Sequence, residues 1–214
     1  MTEKLAPTRR KPGRPSGRPV GAPTLTDRTQ LLVAAERVIR DGGPNVSLEA
    51  IAAAAGVTKP ILYQHVGNKD AVVEALALRF SERVRDLSDA GVATAPDRRS
   101  ALRCFVGAFF TVVGNDPNLY LYLAAGAGGD GWLQRSLALT DQSAAPVAQA
   151  LRDERIRIRA DPAVATAWSY SIIGMLHHTG LWWIRQPDVT ADGIVEQITE
   201  LLWAGLRGDH HLND

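Results

Sequence analysis

The chain has 214 residues, with 24 Lys or Arg against 23 Asp or Glu, so its net charge at neutral pH is +1. That length allows one or two domains with a packed core. The single cysteine, Cys104, excludes an internal disulfide and is expected to be an apolar filler in a reducing, cytoplasmic setting. No apolar run follows the basic N-terminus, so a secretory signal is not expected.

Positive charge is concentrated in the first third of the chain. Residues 1–70 contain 11 Lys or Arg and 6 Asp or Glu, whereas residues 71–214 contain 13 and 17. All four lysines fall in the first 70 residues. A basic end on an acidic body is typical of a protein that docks one end on nucleic acid.

Residues 1–23 form a separate segment that is rich in Arg, Pro and Gly and cannot bury enough apolar surface to fold alone. Gly-Arg-Pro occurs twice, at 13–15 and 17–19. This repeat resembles an AT-hook, in which extended Arg-Pro backbone lies in a narrow A·T-rich minor groove. The alternative is a disordered basic tail that adds only nonspecific phosphate attraction. The expected groove contacts are Arg9, Arg10, Lys11, Arg14 and Arg18.

After this arm, the sequence predicts one helix over about 27–41, capped by Thr26. Residues 46–70, VSLEAIAAAAGVTKPILYQHVGNKD, then predict two short helices joined by a tight turn. Ser47 is a natural N-cap for the first of them. Gly56 ends that helix, because glycine accepts the left-handed backbone that a sharp turn needs.

The second short helix separates its residues by face. Thr58 is expected to cap it, and Pro60 lies in its first turn, where a missing N–H costs little. Leu62 and Val66 are four apart and should point into the core, which leaves Pro60 and Gln64 facing outward. A helix, a tight turn and a second helix exposed on the surface form the arrangement that reads the DNA major groove. Spacing alone also fits an ordinary helical hairpin.

The same residues resemble the TetR family of bacterial transcriptional regulators. The shared pattern is A-x-x-A-G-V, then L-Y-x-H with an aliphatic residue after it, then N-K-D. The resemblance covers about residues 26–80, and the remainder matches only in helical layout. It implies an all-α fold of about nine helices. Together with the basic arm (1–23), the expected parts are a three-helix DNA-binding domain (24–70), a helical ligand-binding and dimerisation domain (71–208) and a tail (209–214).

The resemblance assigns phosphate contacts to Tyr63, His65 and Lys69. Base edges would be contacted from the outer face of the second helix, where glutamine can pair with adenine, lysine with guanine, and apolar groups with a thymine methyl. Two such helices across a two-fold axis would read a palindromic operator. The expected DNA-binding residues are Ser47, Thr58, Lys59, Pro60, Ile61, Tyr63, Gln64, His65 and Lys69.

Downstream of the motif, apolar spacing predicts helices and no strand. The expected helices run from Asn68 to about 89, over about 98–114, after Pro117, over about 132–153, from Asp161 to about Arg185, and from Thr190 to about Leu206. The Gly-rich segment 126–131 should separate the third from the fourth.

Residues 162–184 carry no Asp, Glu, Lys or Arg, a length that could cross a membrane. Ser, Thr and His within the stretch favour a buried interface helix instead. The family resemblance implies that the last two long helices form a dimer interface, and their apolar content exceeds what one helix face needs. The expected interface residues are Trp182, Ile194, Ile198, Leu201, Leu202 and Trp203.

The resemblance also implies a ligand site enclosed by the middle helices. Aromatic residues there are candidate walls, although each one alone fits core packing as well. Charged groups are scarce among them, so a mostly apolar effector with a carboxyl or carbonyl group is expected. The candidates are Phe105, Phe109, Phe110, Tyr120, Tyr122, Trp132, Trp168 and Tyr170.

No phosphate loop, HExxH or GxSxG pattern is present, so neither catalytic residues nor a cofactor is expected. His177 and His178 are adjacent and share a helix face poorly, so no metal site is expected either. The sequence therefore favours a homodimeric repressor that binds an operator and is released by an effector. Two alternatives remain at this point. One is a regulator without a small-molecule ligand, and the other is an architectural minor-groove binder that uses the basic arm.

Overall fold

The computed structural model describes residues 27–125 and 132–207, with backbone alone for 132–139 and 207. Within these residues the chain forms nine α-helices, one 3-10 turn at Pro162–Val164 and no strand, which confirms the all-α class. The helices are α1 Arg28–Gly42, α2 Leu48–Ala54, α3 Lys59–Val66, α4 Lys69–Thr94, α5 Arg98–Asn115, α6 Pro117–Ala125, α7 Trp132–Arg157, α8 Ala165–Trp183 and α9 Ala191–Arg207.

Most helix starts follow from local capping chemistry. The side chain of Asn68 accepts a hydrogen bond from the Ala71 N–H at 2.9 Å, and Thr190 Oγ1 accepts one from Gly193 at 3.1 Å. The predicted cap of α1 was wrong. Asp27 occupies that position and accepts from the Thr29 N–H at 3.4 Å, because a carboxylate both satisfies the N–H and suits the positive helix end.

Two long helices extend beyond their predicted ends. The loop expected at 90–97 is mostly helical, because α4 continues to Thr94 through Gly91. α5 packs closely there, since a Cβ added to Gly91 would lie 2.9 Å from the Cβ of Cys104. α7 continues to Arg157 with Pro146 inside it. Residues 162–164 form a 3-10 turn, so α8 itself begins at Ala165.

One hydrophobic cluster joins the first three helices to the helices that follow. It contains Leu31, Ile51 and Leu62 together with Leu76 of α4 and Leu119 of α6. The core is therefore continuous across the predicted boundary at residue 70. A second cluster packs α5 against α8 and α9 through residues including Val106, Phe110, Ile172, Leu176, Ile194 and Ile198.

Ion pairs reinforce the contact between α1 and α4. The Glu36 carboxylate is buried and accepts from Arg79 Nε at 2.8 Å and Arg83 Nη1 at 3.2 Å. No helix among the described residues is long and apolar enough to cross a membrane.

Candidate DNA-binding surface and ligand cavity

One face of α3 packs into the protein core, and the opposite face is exposed. Leu62 and Val66 are 1% and 7% exposed and insert into the core, as predicted. Pro60, Gln64 and the neighbouring side chains Tyr63 and His65 are exposed on the opposite face. The outward surface of α3 thus consists of side chains that can reach a DNA groove.

The turn before α3 has the predicted backbone. Gly56 has a φ of +68°, and the Val57 N–H donates to the Ala52 carbonyl at 3.0 Å to close the end of α2. Ser47 caps α2 by accepting from the Ala50 N–H at 3.3 Å. Thr58 occupies the N-cap position of α3, but its hydroxyl makes no capping bond. That exposed hydroxyl is therefore available to a phosphate.

Lys59 has partners within the chain. Its ammonium pairs with the carboxylate of Glu49 on α2 and lies 5.5 Å from the ring centroid of Tyr63. The hydrogen bond from Lys59 is the main cause that holds the pKa of Glu49 below its ordinary value. To contact a base, the Lys59 ammonium must first leave the Glu49 carboxylate.

Two further predicted DNA contacts differ in exposure. Lys69 opens α4 and is exposed, next to the first-turn N–H groups that favour an anion. Ile61 is half-buried, so only part of its side chain is available to a base.

A cavity of about 1270 Å³ lies between α4, α5, α6, α7 and α8, with the end of α9 at its edge. Its wall is mostly apolar. It extends along α4 from Asp70, beside the exposed Lys69, to Val92. One helix therefore carries a predicted phosphate contact and a wall of the cavity.

Of the eight aromatic residues expected at the ligand site, four line this cavity: Phe105, Phe109, Tyr120 and Trp168. Phe110 and Tyr122 do not, because their helices turn them into the hydrophobic clusters, where they are 0% and 4% exposed. Tyr170 faces outward and donates to the Asp141 carboxylate. The Trp132 side chain lies outside the described residues.

Polar and charged side chains also line the cavity, including Arg85, Asp89 and His178. Tyr120 Oη lies 2.7 Å from His177 Nδ1 and 3.1 Å from the His177 carbonyl oxygen. The Arg155 guanidinium lies 4.6 Å from the ring of Trp168, and its Nε donates to the Asp161 carbonyl. Arg98 and Glu154 form an ion pair at 3.0 Å. His177 lines the cavity although it was not among the residues predicted at the ligand site.

The residues expected at the dimer interface divide between two environments. Ile194, Ile198 and Leu202 are 3%, 7% and 8% exposed, because they pack on α5 and α8 of their own chain. These three side chains thus belong to the core of their own chain, and their part in a dimer interface stays a prediction. Trp203 lines the cavity. Trp182 and Leu201 are 43% and 60% exposed.

Within the described residues, no group of three or more His, Cys, Asp or Glu side chains could hold a metal ion. The five basic residues predicted to enter a minor groove, Arg9, Arg10, Lys11, Arg14 and Arg18, lie outside the described part of the chain.

Two family models match this sequence. One, described as the tetracyclin repressor-like C-terminal domain, matches residues 86–213, and the other, bacterial regulatory proteins of the tetR family, matches residues 31–76. The chain belongs to the TetR family. It is a DNA-binding transcriptional regulator, and α2 and α3 are its helix-turn-helix.

The curated relatives of this chain include transcriptional regulators of the helix-turn-helix type. An uncharacterised HTH-type transcriptional regulator of Mycobacterium tuberculosis is 24% identical over 185 residues, covering 85% of this chain and 77% of the relative. The HTH-type transcriptional activator FasR of Mycolicibacterium smegmatis is 36% identical over 94 residues, covering 44% of this chain and 43% of the relative.

Solved structures share the TetR-like fold. The fatty acid degradation regulator FadR from Bacillus halodurans superposes with a TM-score of 0.67 at 21% identity, over 84% of this chain and 99% of that one. FadR from Bacillus subtilis, in complex with stearoyl-CoA, gives 0.64 at 16% identity, over 83% and 98%. At these identities the likeness concerns the fold alone.

Proposed function

We propose that the chain is a homodimeric TetR-family repressor that binds a palindromic operator and is released by a mostly apolar effector. The observation that carries this proposal is the large apolar cavity bounded by α4, the helix that begins beside the DNA-binding surface. Its volume of about 1270 Å³ exceeds the roughly 300–1,000 Å³ usual for small-molecule sites. The cavity therefore suits a long or bulky ligand.

Coupling between the two sites would pass through α4. Asp70, Val73 and Phe80 line the cavity on the helix whose first residue is Lys69. A ligand that prefers a different position of α4 would displace both recognition helices of a dimer. Its binding would then lower DNA affinity, and DNA would lower ligand affinity by the same factor.

The outward faces of α8 and α9 supply the surface for a dimer. On α8 Ala167, Ser171 and Trp182 are exposed on one side of the helix, and on α9 Leu201 is accompanied by small residues. A Cβ added to Gly205 would meet no atom within 4 Å. Small residues on an open helix face allow the helices of a second copy to approach closely.

The class of effector is proposed from the cavity and from the neighbouring structures together. Most of the exposed surface of the wall is apolar, and the Bacillus subtilis neighbour was solved with stearoyl-CoA. We therefore propose a ligand with a long aliphatic chain.

The first test selects operators from random DNA with the full-length protein. A two-fold symmetric consensus supports the dimer, and a single asymmetric half-site opposes it. Candidate aliphatic ligands are then titrated into the protein–operator complex while fluorescence anisotropy is recorded. Release supports an effector-relieved repressor, whereas tighter binding would indicate ligand-promoted DNA binding.

The basic arm adds a second measurement to the same experiment. A chain lacking residues 1–23 should bind less tightly, and the loss should be larger on operators flanked by A·T than by G·C. An equal loss on both flanks would support a simple polycation.

A further inference from the structure

Tyr120 and His177 form a polar pair on the otherwise aromatic part of the cavity wall. Tyr120 comes from α6 and is 5% exposed, and His177 comes from α8. Phe80 stacks on the Tyr120 ring at 5.4 Å and Phe109 meets it edge-on at 5.7 Å, both measured between ring centroids. The tyrosine is therefore held in one orientation, with its hydroxyl directed at α8.

The hydroxyl of Tyr120 has two acceptors within reach. His177 Nδ1 is 2.7 Å away, and the His177 carbonyl is 3.1 Å away. That carbonyl lies within α8, where it already accepts a helical hydrogen bond. The shorter contact and the more basic acceptor both favour donation to Nδ1. In a neutral imidazole the proton then sits on Nε2, which becomes a donor.

Both groups stay uncharged near neutral pH. Burial raises the pKa of Tyr120, and burial followed by the neighbouring His178 lowers the pKa of His177. His177 lines the cavity, and its Nε2 has no hydrogen-bond partner among the described residues. At this point of the wall His177 thus presents a neutral N–H, oriented by the tyrosine behind it.

We propose that His177, positioned by Tyr120, recognises a carbonyl oxygen of the effector. The inference rests on the proposed effector site and narrows the group that His177 contacts to a neutral carbonyl, such as that of a long-chain acyl ester or thioester. A hydrocarbon would leave this N–H unsatisfied, at a cost in affinity. An ionised carboxylate would be held better by the arginines that also line the cavity, Arg85, Arg98 and Arg155, than by a neutral N–H. The aliphatic chain would contact Phe105, Phe109, Leu151 and Ile172.

The test compares three probes of equal chain length on the full-length protein: methyl laurate, laurate and dodecane. Binding is followed by tryptophan fluorescence, since Trp168 and Trp203 line the cavity. Wild-type protein should bind methyl laurate about tenfold more tightly than dodecane, the worth of one hydrogen bond. H177F keeps an aromatic ring without the donor and should abolish that preference while dodecane affinity stays within about twofold. H177Q restores an N–H and should recover part of it.

Y120F serves as the positioning control, because it removes the hydroxyl that fixes the tautomer and should reduce the ester preference only partly. The nitrogen-15 spectrum of the His177 ring provides a readout that does not need a variant. Methyl laurate should shift the Nε2–H resonance, and dodecane should not.

Each failure has its own meaning. An unchanged ester-to-alkane ratio in H177F, or an ester that leaves the Nε2–H resonance in place, would overturn the carbonyl proposal while the apolar site stands. If none of the three probes binds the wild-type protein, the proposed aliphatic effector falls, and the carbonyl proposal falls with it.

Discussion

Arg40 and Asp116 are joined by two hydrogen bonds between α1 and the start of α6. Arg40 Nε donates to Asp116 Oδ1 at 2.6 Å, and Nη2 donates to Oδ2. Beside them, Asn118 Nδ2 donates to the Arg40 carbonyl at 2.8 Å. α6 also carries Tyr120 on the cavity wall. These hydrogen bonds thus join the C-terminal end of α1 to α6, a helix that lines the ligand cavity.

Arg40→Gln should destabilise the protein. The carboxylate of Asp116 is 5% exposed and would lose both charged hydrogen bonds, which costs about 1–3 kcal/mol for a buried acceptor. Because the Arg40 side chain is half exposed, water compensates part of the loss and the lower end of that range is expected. Urea unfolding measures the change. Arg37→Gln, an exposed neighbour on α1, is the control, and equal effects of the two variants would contradict the argument.

Gln64→Ala and Lys69→Ala should change DNA binding in different ways. Gln64 is exposed on the outward face of α3, so its loss should cost about 1–3 kcal/mol at the base it reads and alter the ranking of operator variants. Lys69→Ala should weaken all sequences alike and reduce the slope of log affinity against log salt by about one. Anisotropy titrations on an operator panel separate these outcomes. An unaltered ranking in Gln64→Ala would remove its base-reading role.

Glu49→Gln should strengthen DNA binding. The carboxylate of Glu49 holds the Lys59 ammonium and adds a negative charge to the surface that approaches phosphate. Its removal releases the lysine and removes that repulsion, so affinity should rise and depend more steeply on salt. In a Lys59→Met background the gain should shrink, because the two residues are coupled. Asp86→Asn, on an exposed part of α4, controls for net charge; a gain of equal size there would mean that the ion pair is irrelevant.

Leu201 and Leu202 provide a matched test of the dimer surface. Leu201 is 60% exposed and Leu202 is 8% exposed. Leu201→Asp should yield a folded monomer with weak operator binding. Leu202→Asp should unfold the chain, because it places an unpaired charge in the core. Burying such a group costs on the order of several kcal/mol. Light scattering and circular dichroism distinguish the two. A Leu201→Asp variant that remains dimeric would locate the interface elsewhere.

Gly180→Ala should destabilise the protein although alanine is the better helix former. The added Cβ would lie 2.9 Å from Phe109 Cε1 and 3.5 Å from Tyr120 Cε1. The Phe109 ring meets Phe110 edge-on, so moving it away from the new Cβ would disturb that contact, and overpacking should cost about 1–3 kcal/mol. Gly107→Ala is the control. Its Cβ would make an ordinary 3.8 Å contact with Val195, so it should gain up to about 1 kcal/mol from helix propensity. Thermal unfolding measures the change in both variants. A stabilised Gly180→Ala protein would show that the aromatic rings move to accommodate the added methyl group.

The sequence by itself determined the helix-turn-helix, because its signals are local. The cap at Ser47, the left-handed turn at Gly56 and the four-residue spacing of Leu62 and Val66 act within a few residues of the structure that they specify. Local signals also predicted a helix after Pro117 and another from Thr190, and they gave the order of the helices along the chain. These features need no knowledge of what packs against them.

Only the tertiary structure decided which apolar side chains form the core, the cavity wall and the open surface. Phe109 lines the cavity while Phe110 is in the core, and Leu201 is exposed while Leu202 is buried. Neighbours in a helix point about 100° apart, so an apolar run indicates burial without saying which neighbour takes which side. That choice, like the pairings of Arg40 with Asp116 and Tyr120 with His177, depends on helices far apart in sequence.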